Sequence, residues 1–203
     1  MPEPAAEIDP AATYDALGLS FKGMAQAAAL ARRLAQARHP PAAVYASATR
    51  RARETAGALA AALALDVGID DRLREIYLGD LSPGDVPAPE RAEAIRSRLA
   101  TLGGIAARDG SWDALPDAEP AAAVRARMAG AVGAIVARHP DATVALVSHA
   151  GAINAYIAGI VGVKRDFFFP TGNTSLSSIA FRDGVATLIR LNDTAHLESR
   201  PSG

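Results

Sequence analysis

Thr143-Val144-Ala145-Leu146-Val147-Ser148-His149-Ala150-Gly151 decides how this chain folds. Residues 143–147 form an apolar run, as a strand covered on both faces requires, and the small residues after it turn into a helix expected over 152–161. Upstream, the pattern predicts a helix from 120 to 138, with Pro120 at its start where a missing N–H costs nothing. The same order occurs earlier in the chain. Ser20 can cap a helix whose apolar positions Ala27, Leu30, Ala31 and Leu34 recur at helical spacing, expected to stop near Arg38-His39-Pro40. Val44-Tyr45-Ala46-Ser47 then reads as a short strand, 50–65 as a helix, 67–69 as another short strand and 70–79 as a loop. Ala37-Arg38-His39-Pro40 and Ala137-Arg138-His139-Pro140 echo one another, each ending a helix before a buried strand, and both histidines read as helix-end cations. Residues 175–181 and 185–191 read as a hairpin joined across Asp183-Gly184. Strands alternating with helices mean an α/β fold with a mostly parallel sheet.

At 203 residues the chain is one domain, 1–203, long enough to bury a real core. Residues 1–19 carry no apolar period and read as a loop or tail. Residues 80–118 are rich in Pro, Gly and Asp, with one helical stretch near 91–102, and read as a lid-like insertion beside the core. A net charge of −1 argues against a nucleic-acid partner bound by bulk basic charge. The basic residues are arginine except for Lys22 and Lys164, and arginine grips phosphate or carboxylate in a planar fork. The chain has no cysteine, so disulfides, thiolate nucleophiles and Cys-ligated metals are excluded. Neither a membrane-spanning run nor a signal-peptide pattern at residues 1–10 is present, so no membrane partner and a cytoplasmic location are expected.

In open α/β sheets, ligands bind beyond the carboxyl ends of strands, where helices begin. Two segments place chemistry there. Ser47-Ala48-Thr49-Arg50-Arg51-Ala52-Arg53 enters a helix with three arginines in four positions, which makes either an anion site or a solvated basic face paired with nearby acids. His149 follows an apolar strand beside free backbone N–H groups, as a site residue or simply as the cap of the turn. Ser148 is not a nucleophile-elbow serine, because Leu146 and Ala150 stand where glycines are needed. Glu75, flanked by apolar residues, is a candidate acid if partly withdrawn from water. No element carries histidines and acids at metal-ligand spacing, and Gly-x-Gly-x-x-Gly and Walker-type loops are missing, so no metal or cofactor is expected.

Together these segments resemble the histidine phosphatase (phosphoglycerate mutase-like) superfamily. The resemblance runs in order from Leu19 to about Phe181. The stretch from Leu19 to Ala27 resembles the opening of the family's first helix. Ser47 to Ala56 resembles its Ser-x-x-x-Arg-Ala-x-x-Thr-Ala segment, which implies Arg51 as the phosphate-binding arginine. Leu73-Arg74-Glu75 with Gly79 resembles the segment that carries the proton-donating acid, at Glu75. Val147 to Gly151 resembles the second active-site histidine, at His149, and Asn173-Thr174-Ser175 resembles the turn into the last strands. The implied fold is a three-layer α/β/α sandwich. The implied activity is metal-independent phosphomonoester hydrolysis through a phosphohistidine, with a phosphomutase or a non-catalytic phosphate-binding protein as alternatives. Arg51, His149 and the backbone N–H groups of Ala150 and Gly151 would hold the phosphoryl oxygens of a small phosphorylated molecule, and Glu75 would protonate the leaving alcohol.

One departure matters. The family's nucleophile lies in an Arg-His-Gly motif that ends the first, central strand, and this chain lacks it. Its only Arg-His pairs, Arg38-His39 and Arg138-His139, are each followed by proline. The expectation is therefore a family sheet without its first central strand, through either a start downstream of the true one or a degenerate relative. Such a chain should aggregate or depend on a partner strand, and a homodimer through unpaired sheet edges is an open option.

Overall fold

The computed structural model describes residues 17–79, 87, 90–115 and 117–198. Helix α1 (Phe21–Ala35) opens under Ser20, whose Oγ accepts from the Gly23 N–H at 3.1 Å. It stops at Ala35, short of the expected end at residues 38–40. The proline at 40 forbids helix only at its neighbour, and between Leu34 and that proline the chain has no large apolar side chain to bury, so the helix ends earlier.

Strand β1 (Ala43–Ala46), helix α2 (Arg50–Leu63) and strand β2 (Val67–Ile69) follow as anticipated. A 3-10 turn at Asp71–Leu73 begins the loop that carries Glu75. Then come α3 (Arg91–Asp109), α4 (Ala121–Arg138), β3 (Val144–Val147), α5 (Ala150–Val161) and the ribbon β4 (Leu176–Arg182) and β5 (Val185–Asp193). Among the described residues no helix is long and apolar enough to cross a membrane.

Strands β2, β1 and β3 form a parallel sheet in that order, with Val44 opposite Val67 and Ala145. Alternation along the strands builds the layers. Val44, Ala46, Ala145 and Val147 pack against α1 and α2 through Leu30, Ala31, Ala52, Ala56 and Leu59. Tyr45, Val144 and Leu146 point the other way, into a second core that contains Val124, Met128, Ile135, Ala152 and Ala155 from α4 and α5. The fold is thus an α/β/α sandwich.

Two further features depart from the sequence-based picture. The run 144–147 is apolar because both faces are covered, yet all four residues are only half-buried, since among the described residues β3 pairs with β1 alone and forms an edge of the sheet. Helix α3 is longer than the stretch expected at 91–102. Its Ala106, with Trp112 and Leu115 after it, lies in the same core as Leu73 and Ile135, so this part of 80–118 is packed into the domain rather than beside it. The rest of that expected insertion, 80–86, 88–89 and 116, lies outside the described residues, as does most of the expected tail at 1–19.

The β4–β5 hairpin turns through Asp183 (φ 51°) and Gly184 (φ 76°). Two successive positive φ values are what a two-residue loop between right-twisted strands requires, and Asp-Gly meets that demand.

Candidate functional site

Because β1 and β3 are parallel neighbours with Ala46 opposite Val147, the turns that leave them lie side by side. The Ser47 N–H donates to the Val147 carbonyl at 3.2 Å and carries the ladder one residue further. Each turn leads into a helix whose capping side chain makes no bond to its own helix, Thr49 for α2 and His149 for α5. Those side chains face one another instead.

His149 is 8% exposed and stands at the centre. Its Nε2 is 2.7 Å from Ser47 Oγ and 3.5 Å from Thr49 Oγ1, and its Nδ1 is 3.4 Å from Arg51 Nη2. A guanidinium only donates, so the nitrogen that faces Arg51 is the acceptor and Nε2 carries the proton. Ser47 Oγ therefore accepts from His149 and can pass its own proton to Thr49 Oγ1, 3.2 Å away. Burial, reinforced by the Arg51 and Arg127 guanidinium groups, pushes the imidazole down to about 3. At neutral pH His149 is an uncharged donor.

The three arginines at the start of α2 divide their work. Arg50 pairs with Glu54 at 2.7 Å, the solvated arrangement anticipated as one alternative, and Arg53 is exposed. Arg51 alone turns towards His149.

Glu75 reaches the site from the loop after the 3-10 turn. Its Oε1 accepts from the N–H groups of Ile76 and Ala152, each at 2.9 Å, and its Oε2 accepts from Gly151 at 3.2 Å. Burial raises its pKa, and the three N–H bonds and Arg51 oppose the rise. The carboxyl thus favours its protonated form more than an ordinary glutamate does. Gly151 makes the approach possible: a Cβ there would lie 2.8 Å from Glu75 Oε1 and 2.9 Å from Ile76 Cδ1.

The Gly151 N–H, expected on a phosphoryl oxygen, donates here to Glu75 Oε2, since a carboxylate docks at the positive end of α5 as readily as a phosphate does. Ala150 is the first residue of that helix, which starts two residues earlier than expected.

Several residues of the site were not anticipated in these roles. Ser47 and Thr49 hold the imidazole. Ser148 Oγ donates to the Leu73 carbonyl at 2.8 Å and ties the second turn to the Glu75 loop. Arg127 binds that loop from α4. Hydroxyls directly after a strand could have pointed to the first three, but nothing in the alanine-rich helix around Arg127 marked it out.

The other histidines stand elsewhere. His39 is exposed beyond the end of α1. His139 ends α4 with Nε2 2.9 Å from Tyr45 Oη, and His196 has Nδ1 3.2 Å from Arg33 Nη1. Among the described residues no group of three or more His, Asp or Glu could hold a metal ion.

A neutral imidazole, a guanidinium and a buried carboxyl with a raised pKa thus stand together on adjoining turns. The family model of the histidine phosphatase superfamily (branch 1) matches residues 14–194. Among solved structures, a mycobacterial hydrolase is 31% identical with a TM-score of 0.68, over 88% of this chain and 87% of that one. A mycobacterial glucosyl-3-phosphoglycerate phosphatase is 31% identical with a TM-score of 0.66, over 88% and 89%. YhfR of Bacillus stearothermophilus is 25% identical with a TM-score of 0.68, over 92% and 93%. No curated protein matches the chain. A match over most of its length, with the same sandwich beneath it, places the chain in the histidine phosphatase superfamily, branch 1.

Proposed function

We propose that the chain is a phosphomonoesterase-type protein that takes a small phosphorylated molecule between the two turns. Arg51 and His149 hold the phosphoryl group, with the Ala150 N–H beside them, and Glu75 protonates the leaving alcohol. The single observation that carries this reading is the convergence of Arg51 on His149, Nη2 to Nδ1 at 3.4 Å, next to a buried carboxyl. A mycobacterial relative with 31% identity is a glucosyl-3-phosphoglycerate phosphatase, which supports phosphate ester chemistry over other anions. Phosphatase is preferred to mutase because residues 80–118 show no second set of phosphate anchors in sequence. A cytoplasmic location belongs to the same proposal.

The phosphohistidine route needs a second histidine at the phosphorus, and none of the other three histidines stands beside His149. Attack must then come from water, and loss of covalent catalysis and positioning lowers the rate by orders of magnitude. That observation favours a second reading, a non-catalytic phosphate-binding protein.

An aryl phosphate assay beside thermal melts in inorganic phosphate tests both. Turnover that disappears in His149→Ala supports a hydrolase. Absence of turnover, with a melting temperature that phosphate raises in the parent chain but not in Arg51→Ala, supports the binding protein. If phosphate neither turns over nor shifts the melt, the site is not a phosphate site.

A further inference from the structure

Arg127 is a middle residue of α4, and its side chain is only 10% exposed. A guanidinium has five N–H donors in a fixed plane, and here every one is used. Nε donates to Glu119 Oε1 at 2.7 Å, and Nη2 donates to Glu119 Oε2 at 2.8 Å. Nη1 donates to the carbonyls of Arg72 and Arg74, both at 2.8 Å, and Nη2 to the carbonyl of Glu75 at 3.1 Å. Three carbonyls within four residues of loop are thereby pinned to one side chain. Glu119 closes the frame from the other end: its carboxylate also accepts from Arg74 Nη2 at 3.3 Å, and its N–H donates to the Tyr77 carbonyl at 2.7 Å.

The geometry points to a role beyond packing. We propose that Arg127, locked by Glu119, is a positioning residue for Glu75, fixing the backbone of the 72–75 loop so that the Glu75 carboxyl is presented to the amides of Gly151 and Ala152 beside His149. This rests on the assignment of Glu75 as the proton donor. The backbone requires such a clamp because the loop has no strand partner at residues 74–76, and carbonyls buried without donors are costly. Lysine cannot substitute, since one ammonium presents three donors from a point and cannot span a carboxylate and three carbonyls in one plane. The charge has a second effect, since Arg127 is among the groups that keep the His149 imidazole neutral.

The test is a carbon-13 titration of the glutamate carboxyls in the full chain, with Glu75→Gln identifying the Glu75 signal, together with amide exchange at Gly151 and Ala152. In Arg127→Lys the Glu75 midpoint should fall towards that of an ordinary glutamate, and exchange at both amides should accelerate about tenfold or more beyond any change at core amides of β1. A folded Arg127→Lys protein with the parent Glu75 midpoint and parent exchange at 151 and 152 overturns the proposal. Should Arg127→Lys fail to fold, Glu119→Gln carries the same test with a smaller shift in the same direction, and absence of a shift overturns it. Failure of the proton-donor assignment is a different outcome: Glu75→Gln would leave turnover of an alkyl phosphate, whose alkoxide leaving group needs a proton, untouched while Arg127→Lys still releases the carboxyl.

Discussion

Two turns that begin alike end in opposite states. Ser47-Ala48-Thr49 after β1 and Ser148-His149 after β3 each leave a parallel strand through a serine and enter a helix without a side-chain cap. At the first, hydroxyls and a guanidinium converge on the His149 imidazole. At the second, the chain's own Glu75 carboxylate occupies the positive end of the helix through Gly151 and Ala152. Neighbouring helix starts in one sheet are therefore not equivalent anion sites. The difference is made by a loop that approaches only the second, secured by Ser148 and Arg127.

The largest expected effect tests whether the second turn is held neutral. His149 titrates near 3 in the folded chain against an ordinary value of 6.5. Between these values the unfolded chain binds the extra proton, so stability from this group is full above about pH 6.5 and drains away as pH falls, by about 3 kcal/mol at about pH 4.5. Glu75 runs the other way. Its raised value stabilises the folded state at low pH, and that contribution is lost as pH rises through it. Urea unfolding from pH 7 to 4 should show a flatter acid limb in His149→Gln and a steeper one in Glu75→Gln. Parallel limbs in all three proteins would mean the imidazole is solvated and the turns are not distinct.

Next in size is Arg51→Ala, which removes the guanidinium from the first turn. Charge-assisted bonds of this kind are worth about 1.5–3 kcal/mol, so affinity for inorganic phosphate should fall roughly 10- to 100-fold, read by calorimetry. The second turn should feel the loss too: the His149 midpoint moves up and the Glu75 midpoint rises further, since the Arg51 charge lowers both. Equal phosphate affinity in parent and variant would place the anion at the second turn after all.

Gly151→Ala attacks the second turn alone. The new Cβ would meet Glu75 Oε1 and Ile76 Cδ1 inside normal contact, and overpacking at such a site costs about 1–3 kcal/mol. The loop must yield, so Glu75 should titrate closer to an ordinary glutamate while Arg51 and phosphate binding are spared. An unchanged Glu75 midpoint in a folded variant would show that the carboxyl is not held against this helix.

The order of elements was legible because helical and strand periods are properties of the segments themselves. Asp183-Gly184 announced its hairpin, Glu75 and His149 could be named from their neighbours, and Arg51 was set apart from Arg50 and Arg53 only by the family resemblance. The early stop of α1 and the half-burial of β3 were not legible, because each depends on what another segment covers. The same holds for Gly151: small residues after a strand say that something will approach, and only the fold shows that it is Glu75. Arg127 was invisible for the opposite reason, since its five partners come from residues 72, 74, 75 and 119, none of which shares a sequence pattern with it.

The smallest effect separates the two serines. Ser47 is fully buried, and its Oγ is the near partner of His149 Nε2, with Thr49 Oγ1 a long second at 3.5 Å. Ser47→Ala leaves the imidazole N–H short of an acceptor, at a cost of about 1 kcal/mol. Because Nδ1 still faces Arg51, the ring keeps its Nε2–H tautomer and should rotate towards Thr49, which nitrogen-15 shifts of the imidazole would report. Ser148→Ala removes a bond of similar worth, but from the Leu73 carbonyl, so its signature belongs to the Glu75 loop: faster exchange at Gly151 and Ala152, with the His149 ring unmoved. Two chemically identical changes, at equivalent positions of neighbouring turns, should thus disturb different members of the site. If both perturbed His149 alone, the 72–75 loop would be held independently of β3, and Ser148 would be no part of what sets the turns apart.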